Sequence, residues 1–527
     1  MKFLKRQLPA LLLALAVLLS ACAPQLPQDT TTASAAPSQT TEPTQPTEPT
    51  QPPVEPEHRH TDEDGDKLCD GCGIQVIVRL DFYALNDLHG VFMDTEGNPG
   101  VDEMTTFFKN AYADDTAYEI LLSSGDMWQG SVESSSNKGQ LMTRWMNELG
   151  FVSMTLGNHE FDWGSRYIAE NAEIAEFPFL GINVSDSNVT ESYCSPSPVV
   201  ERGGVKIGII GGVEDYLSDI SGEFSAGLSF STRRLTELVK AESWRLRTEE
   251  DCDLIVYSIH GGYGSGTSGV KDYTGTLDYY DVELSNGYVD LVFEGHTHQD
   301  YILRDKYGVY HLQAGGYNTG ISYAGVIYDL TRDDYMVDTV DTLDRRIFSD
   351  PALADDPFVE ELFTEYFPEE DPYTTVLGTN AYTRYSGTLA DKIAQLYLEK
   401  GRELWGEEYD IVLGGGFLKT RSPYNLAKGD VTYSQLFTLL PFDNSLVLCR
   451  LTGKQLKDKF LNNTNKNYHC AYDPNLASSI VDSQIYYVVT DTYTSTYKYN
   501  RFTEVARLEN YYARDLLRDF IAAGGWA

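Results

Sequence analysis

The feature that most constrains the fold is a pattern repeated five times: a short apolar run followed at once by aspartate, asparagine or histidine. The run from Phe151 to Leu156 is the plainest example, because it ends in Gly157-Asn158-His159-Glu160-Phe161-Asp162. Such a run, ended by glycine, predicts a buried strand, and a strand end is a rigid place from which to aim polar side chains. The other four runs end in Asp87-Leu88-His89, Ser124-Gly125-Asp126, His260-Gly261-Gly262 and Gly295-His296-Thr297-His298.

Helical patterns such as Gln140 to Leu149 lie between these runs, and strands that alternate with helices predict an α/β layered fold. Five of the nine histidines follow the predicted strands. One histidine in such a place is usually structural, but five, with two Asp and one Asn, predict a metal centre for zinc, manganese, iron or magnesium. Two divalent ions that share a carboxylate account for so many ligands, and such a pair can hold a hydroxide nucleophile and neutralise charge on phosphoryl oxygens.

Residues 1–22 have the features of a bacterial export signal. A basic N-terminus precedes an apolar stretch, Leu8 to Leu19, that is too short for a stable transmembrane helix. Leu19-Ser20-Ala21-Cys22 resembles a lipobox, which implies that Cys22 is lipidated and anchors an exported protein to the outer face of the cell membrane. An ordinary secretory peptide is the alternative. Residues 23–57, rich in Pro, Thr, Gln and Ser, predict a disordered tether.

A small polar segment, residues 58–74, follows the tether. It contains His58, His60, the acidic loop Asp62 to Asp66, and the pair Cys69 and Cys72. Two histidines and two cysteines have the composition of a structural zinc site. The acidic loop could instead bind calcium, although it lacks the distal glutamate of a complete calcium loop. A disulfide or free-thiol hairpin is the third interpretation.

The charge and the cysteines exclude two classes of protein. With 79 acidic and 40 basic residues among 527, the formal charge of -39 excludes a general nucleic-acid-binding surface. An anionic substrate must therefore be attracted locally, by metal ions and a few arginines. The four cysteines beyond residues 58–74, Cys194, Cys252, Cys449 and Cys470, are few and widely spaced, which argues against a disulfide scaffold and leaves room for a single bond between Cys449 and Cys470.

The five motifs, in this order, resemble those of the calcineurin-like metallophosphoesterases, specifically the 5'-nucleotidase family, over roughly residues 75–527. The resemblance implies an α/β protein in which a four-layer αββα metallophosphatase sandwich occupies residues 75–345. A linker helix at 346–372 and a smaller α/β 5'-nucleotidase C-terminal domain at 373–527 would follow, the latter gripping the nucleoside.

The resemblance also assigns roles to the residues of the five motifs. Asp87, His89 and His298 would bind one metal ion, Asn158, His260 and His296 the second, and Asp126 both. His159 would be the catalytic histidine that donates to a phosphoryl oxygen or to the leaving group, and Asp162 would orient it. For Glu160 a structural role is the preferred interpretation.

In the C-terminal part, Gly414-Gly415-Gly416 and Pro441-Phe442-Asp443-Asn444 resemble the family's signature. The resemblance implies that Phe442 stacks on the base, that Asn444 reads its edge, and that Tyr493 closes an aromatic sandwich. Arg384 corresponds to an arginine that binds the substrate, whereas Arg421 could reach the place of another such arginine from a longer loop, or that contact could be lost. The chain departs from the family here, because Arg421 belongs to a longer loop and Asn380 replaces a further binding arginine.

These observations predict an extracellular dimetal phosphoester hydrolase, most simply a 5'-nucleotidase that releases phosphate from nucleotides. A 2',3'-cyclic nucleotide phosphodiesterase or a nucleotide-sugar hydrolase would use a similar metal site. A non-catalytic surface binding protein is the alternative from another class. The expected partner is a small-molecule nucleotide or related phosphoester, with membrane contact only through the lipid anchor; oligomeric state and metal identity are not encoded in any motif.

Overall fold

The computed structural model describes residues 59–527, apart from 95–99, 114–115, 221–223, 232–233, 273–285, 350–352, 370, 422–424, 497–501 and 527. The export signal, Cys22, the tether and His58 lie outside the described residues. Within the described part, no helix combines the length and the apolar character needed to cross a membrane.

Each of the five apolar runs contains a strand, as predicted. In chain order the strands are β1 (Ile77–Leu85), β2 (Tyr118–Ser123), β3 (Ser153–Thr155), β4 (Phe179–Leu180), β5 (Val184–Asp186), β6 (Val199–Arg202), β7 (Val205–Val213), β8 (Leu228–Phe230), β9 (Leu254–His260), β10 (Val270–Asp272), β11 (Leu291–Glu294), β12 (Asp300–Arg304), β13 (Tyr310–Ala314), β14 (Gly320–Asp329), β15 (Asp334–Asp344), β16 (Val376–Asn380), β17 (Ile411–Phe417), β18 (Gly429–Thr432), β19 (Leu446–Thr452), β20 (Tyr468–Tyr472), β21 (Ile485–Asp491) and β22 (Thr503–Leu508). The α-helices are Asp102–Tyr112, Val132–Ser135, Gln140–Glu148, Ser165–Ile174, Leu235–Glu249, Pro357–Tyr366, Ser386–Trp405, Tyr433–Leu439, Gly453–Leu456, Leu476–Ser479, Thr492–Thr496 and Ala513–Ala522.

Two sheets face each other in the N-terminal part. One has the strand order β15-β14-β1-β2-β3-β4, and the other has the order β10-β12-β13-β11-β9-β7-β6. Side chains alternate along β1, so Leu80 and Phe82 join a core shared with Ile207 of the second sheet. Tyr83 and Leu85 point the other way, into a separate core. This alternation is the period-two pattern of a strand buried on both faces.

Helices cover the outer face of each sheet. Trp145, from helix Gln140–Glu148, packs in the core on the outer side of β1. Tyr257 of β9 packs with Val239 of helix Leu235–Glu249 in the core behind the second sheet. The order helix, sheet, sheet, helix is the predicted four-layer αββα sandwich.

The motif-bearing strands run parallel, so their carboxyl ends meet at one edge. In the first sheet, Leu85 pairs with Ser123, and Ser123 pairs with Met154. In the second sheet, β9 is parallel to β7 and β11, with Ile259 opposite Glu294. The residues that follow these strand ends therefore emerge together.

A five-stranded sheet of order β20-β17-β21-β19-β22 forms the C-terminal part, with helix Ser386–Trp405 against it. Leu389 on this helix and Val489 on β21 belong to one core. The segment expected to be a linker helix forms helix Pro357–Tyr366, whose N-terminus is capped by Asp356 through the backbone N–H of Phe358. The smaller α/β domain is present as predicted.

The structure contradicts a disulfide between Cys449 and Cys470. Cys449 lies on β19 and Cys470 on β20, and β17 and β21 separate these strands within the sheet. Three strand spacings amount to about 14 Å, whereas a disulfide requires Cα atoms within about 7 Å of each other.

Candidate active site

The predicted metal ligands gather where the two sheets end, on backbone turns that few residue types adopt. Five of them have φ in the left-handed region: Asp87 (51°), His89 (52°), Asp126 (55°), His296 (70°) and His298 (53°). A non-glycine residue in this conformation is uncommon, and such strain concentrates at functional sites. These turns leave the strands abruptly and direct the side chains inward.

Asp87, His89 and His298 form the first group, with ligand atoms that all lie within 4.8 Å of one another. Nε2 of His89 is 3.0 Å from Nε2 of His298, which is 3.3 Å from Oδ1 of Asp87. Nδ1 of His89 donates to the carbonyl oxygen of Gln129 at 2.8 Å, and this bond leaves Nε2 with its lone pair. The group can therefore chelate one cation.

Asp126, His260 and His296 form the second group, again within 4.8 Å. Nδ1 of His260 donates to the carbonyl of Ser124 at 2.8 Å, so Nε2 faces Oδ2 of Asp126 at 3.2 Å. Oδ1 of Asn158 lies 3.1 Å from Nε2 of His260 and 2.9 Å from Nδ1 of His296. The structure thus brings all seven predicted ligands into two neighbouring groups.

An unsatisfied buried carboxylate oxygen and the protonation states of the histidines indicate that cations fit these two groups. Oδ1 of Asp87 is buried without a hydrogen-bond donor, whereas Oδ2 accepts from Asn86 and from the backbone of His296. Burial lowers the pKa of His89 well below its ordinary value and that of His296 to about 4, which keeps both imidazoles neutral, the form that binds metals. Burial also lowers the pKa of His260, but the carboxylate of Asp126 has the larger effect and raises this pKa to about 10. The buried carboxylate is thus stabilised by a positive charge beside it, which a bound cation would supply.

His159 and Asp162 form a buried pair beside the two groups. Nδ1 of His159 lies 2.6 Å from Oδ2 of Asp162, and the backbone N–H of His159 donates to Oδ1 of Asp126. Burial lowers the pKa of His159, but the carboxylates of Asp162 and Asp126 outweigh that effect and raise it to about 9. With Nδ1 held by Asp162, Nε2 is the nitrogen available to a substrate oxygen.

Glu160 fastens together the loops that carry Asp126 and Asn158. Its fully buried carboxylate accepts from four backbone N–H groups: Asp126 at 2.9 Å, Met127 at 2.9 Å, Trp128 at 3.3 Å and Gly157 at 2.6 Å. These contacts match the structural role preferred from the sequence.

Glu160→Ala is expected to reduce the free energy of unfolding by about 3 kcal/mol or more, because it leaves four buried N–H groups without an acceptor. Denaturant unfolding of the full chain measures this. Glu365→Ala is the control: Glu365 pairs with Arg144 on the surface, and its loss should cost about 0.5 kcal/mol or less. Equal unfolding midpoints for the two variants would contradict the role given to Glu160.

Residues from the C-terminal domain approach the same place. The Arg421 guanidinium carbon lies 5.4 Å from the ring centre of Tyr317 and 6.0 Å from that of Phe442, and Nη2 is 3.4 Å from Oε1 of Gln129. The ring of Phe442 is 5.9 Å from that of His159. Arg421 therefore reaches the cleft from its longer loop.

The other predicted substrate residues are placed differently. Nε of Arg384 donates to Oδ1 of Asn380 at 3.0 Å, and its guanidinium stacks 4.3 Å from the ring centre of Trp526. The ring of Tyr493 lies 5.6 Å from that of Phe417. Asn444 is half-buried two residues after Phe442. Arg384 and Tyr493 thus contact residues of the C-terminal domain itself.

Sequence analysis missed three aromatic or amide side chains that line the cleft. Tyr216 stacks on the ring of His296 at 3.4 Å, and Tyr317 stacks on that of His89 at 4.9 Å. Gln129 donates through Nε2 to the carbonyl of Pro441 at 3.1 Å, and so connects the two domains. A usable signal existed for Tyr317 alone, since it follows β13 and two glycines.

Comparison with known proteins agrees with this fold. The calcineurin-like phosphoesterase model matches residues 80–300, and the 5'-nucleotidase C-terminal domain model matches residues 376–516. An apyrase from Tabanus yao is 26% identical over 438 residues, 72% of each chain. A 5'-nucleotidase from Vibrio vulnificus is 26% identical over 426 residues, covering 72% of this chain and 74% of that protein. The crystal structure of a 5'-nucleotidase precursor from Thermus thermophilus superposes with a TM-score of 0.60 at 19% identity, over 85% of this chain and 96% of that one.

The fold and the two matched domains define a metallophosphoesterase. The chain belongs to the calcineurin-like phosphoesterases that carry a 5'-nucleotidase C-terminal domain, and it is a phosphoester hydrolase.

Proposed function

We propose that the protein is a metal-dependent 5'-nucleotidase that releases phosphate from nucleotides. The observation that carries the proposal is the convergence of two three-residue ligand groups with the His159–Asp162 pair, beneath Arg421 and Phe442 from the C-terminal domain. The family and the names of the relatives, 5'-nucleotidase and apyrase, support the same substrate class.

The residues divide the work according to their chemistry. Asp87, His89 and His298 would hold one divalent ion, Asn158, His260 and His296 the other, and Asp126 both. Such ions lower the pKa of bound water and neutralise charge on phosphoryl oxygens. Asp162 orients His159, whose Nε2–H donates to a phosphoryl oxygen or to the leaving group as negative charge develops there.

Phe442 and Arg421 suit the rest of a nucleotide. An aromatic ring that is 39% exposed and adjoins His159 offers a face on which a base can stack, a contact worth about 1–3 kcal/mol. The guanidinium of Arg421 presents fixed donors that match phosphate oxygens. In a strongly acidic chain, the positive charge of Arg421 attracts an anionic substrate locally, and the uncharged ring of Phe442 does not repel it.

The deciding experiment measures products released by the full chain from AMP, UDP-glucose and bis-p-nitrophenyl phosphate with manganese, zinc or magnesium. Phosphate release from AMP is expected. Turnover of the diester alone would favour a phosphodiesterase, and turnover of UDP-glucose alone a nucleotide-sugar hydrolase. If all three substrates remain intact with each metal, a non-catalytic binding protein becomes the better explanation.

Arg421→Ala is expected to lower kcat/KM for AMP by about 10–100-fold, because it removes charge-assisted hydrogen bonds to the phosphate. Arg384→Ala is the matched variant, with an expected loss below about threefold, since Arg384 already bonds Asn380 and stacks on Trp526. Steady-state kinetics on both variants separates the two arginines. A larger loss of kcat/KM in Arg384→Ala than in Arg421→Ala would indicate that Arg384, and not Arg421, binds the phosphate.

We also propose that the enzyme acts outside the cell, anchored through a lipid on Cys22 and held away from the membrane by residues 23–57. The basic, apolar and lipobox-like parts of the N-terminus support this. Metabolic labelling with a radioactive fatty acid tests it: Cys22→Ala should lose the label and release the protein into the medium, and retention of the label would contradict it.

A further inference from the structure

We propose that residues 59–74, here called the N-terminal knuckle, bind a zinc ion through His60, Cys69 and Cys72. The Nδ1 or Nε2 atom of His60 and the two thiol sulfurs all lie within 4.8 Å of one another. Nδ1 of His60 is 3.6 Å from Sγ of Cys72. This group is separate from the phosphoesterase centre, and the proposal does not depend on the proposed function.

Backbone hydrogen bonds direct the two thiols to the same side. Gly73 N–H donates to the carbonyl of Cys69 at 2.8 Å, and Cys69 N–H donates to the carbonyl of Ile74 at 2.7 Å. The turn requires φ of 74° at Gly73, which glycine adopts without strain. Asp70 N–H donates to the carbonyl of Thr61 at 2.9 Å and so holds the segment that carries His60 beside the turn.

The knuckle has almost no apolar core of its own. Among residues 59–74, Cys69 alone is buried, while Leu68 and Ile74 are 41% and 37% exposed. A segment with so little apolar burial depends on a cross-link or a bound ion for a fixed conformation. The polar contacts above are too few and too exposed to replace one.

The ligand atoms of His60, Cys69 and Cys72 favour zinc over calcium. Two thiolates and an imidazole are ligands for zinc, whereas calcium takes oxygen ligands. A disulfide between Cys69 and Cys72 would make no use of the imidazole that lies 3.6 Å from one sulfur. The adjoining carboxylates of Asp62, Asp64 and Asp66 also converge within 4.8 Å, and their negative charge favours a divalent cation nearby.

The knuckle sits where the chain enters the catalytic body. Val76 N–H donates to the carbonyl of Lys67 at 3.0 Å, and Leu68 forms a β-bridge with Gln75 just before β1. A Cβ at Gly204 would lie 3.1 Å from Cδ1 of Ile74, so the knuckle also touches the loop between β6 and β7. Three protein ligands leave one tetrahedral position for water. Zinc would therefore hold in place the segment that leads into β1.

Cobalt substitution of the full chain tests the proposal. The reduced, chelator-treated protein is titrated with Co²⁺, and the thiolate-to-cobalt charge-transfer band is recorded. The phosphoesterase centre contains no cysteine, so cobalt bound there gives no such band. We expect the band in the unaltered chain, its disappearance on addition of Zn²⁺, its loss in Cys72→Ser, and a weaker band in His60→Ala.

Cys194→Ser is the matched control, because Cys194 lies outside the knuckle and its replacement should leave the band intact. Cys72→Ser should also carry about one zinc per chain less than the unaltered protein, with AMP hydrolysis in manganese unchanged. Absence of the band, its persistence in Cys72→Ser, or isolation of the native protein with a Cys69–Cys72 disulfide and no zinc would overturn the proposal. Calcium binding that Asp62→Asn abolishes, without a cobalt-thiolate band, would overturn it in favour of calcium.

Discussion

Asp126→Ala is expected to remove bound metal and to lower phosphoester hydrolysis by on the order of 10³-fold or more. Asp126 is 1% exposed, and its two oxygens are used separately. Oδ2 lies 3.2 Å from Nε2 of His260, while Oδ1 accepts from the backbone of His159 at 2.8 Å. Its removal therefore takes away the negative charge of the second ligand group and the hydrogen bond that positions His159, the proposed catalytic histidine.

Metal analysis by mass spectrometry and rates with AMP measure these effects on the same samples. Asp305→Asn is the control, since Asp305 is another buried carboxylate that faces a histidine, His311, at 3.4 Å outside the active site. This control should keep its metal and its activity. If Asp126→Ala retained two metal ions per chain, Asp126 would not be the shared ligand.

His159→Ala should lower kcat by about 10²–10⁴-fold while the metal content stays the same. Metal content should not change, because His159 contacts Asp162 through Nδ1 and belongs to neither ligand group. In the proposed mechanism its imidazolium would donate a hydrogen bond to the phosphate or the leaving group as negative charge develops there, and alanine has no such donor.

His469→Ala provides a matched control, because Nδ1 of His469 lies 2.8 Å from Oδ1 of Asp391 in a similar His–Asp pair of the C-terminal domain. Its kcat should be unchanged. The kcat of Asp162→Asn should lie between those of His159→Ala and His469→Ala, since the imidazole of His159 remains but loses its charged partner. Full turnover by His159→Ala would remove this residue from catalysis, and loss of metal would make it a ligand.

Local patterns were sufficient for the strands and for the residue types at their ends. The run that became β9 contains seven residues that are all buried, and such a run is recognisable because each side chain must be apolar or paired. The motif histidines and carboxylates follow these strands directly, so their candidacy as ligands needed no knowledge of distant contacts. Their partition between two ions, however, came from family resemblance.

Other features depend on parts of the chain that meet only after folding. Tyr216 stacks on His296, but nothing near Tyr216 in the sequence predicts this contact. The expected disulfide between Cys449 and Cys470 is wrong for the same reason, because their spacing along the chain does not reveal that two strands lie between them in the sheet.

The sequence by itself determined which side chains can bind metals and where each strand delivers them, because strand formation and ligand chemistry are local properties. Only the tertiary structure decided that Arg421 reaches the cleft while Arg384 turns to Trp526, and that Glu160 joins two loops through four N–H groups. Loop paths and buried hydrogen bonds are set by the packing of distant segments, and that packing is a property of the whole chain.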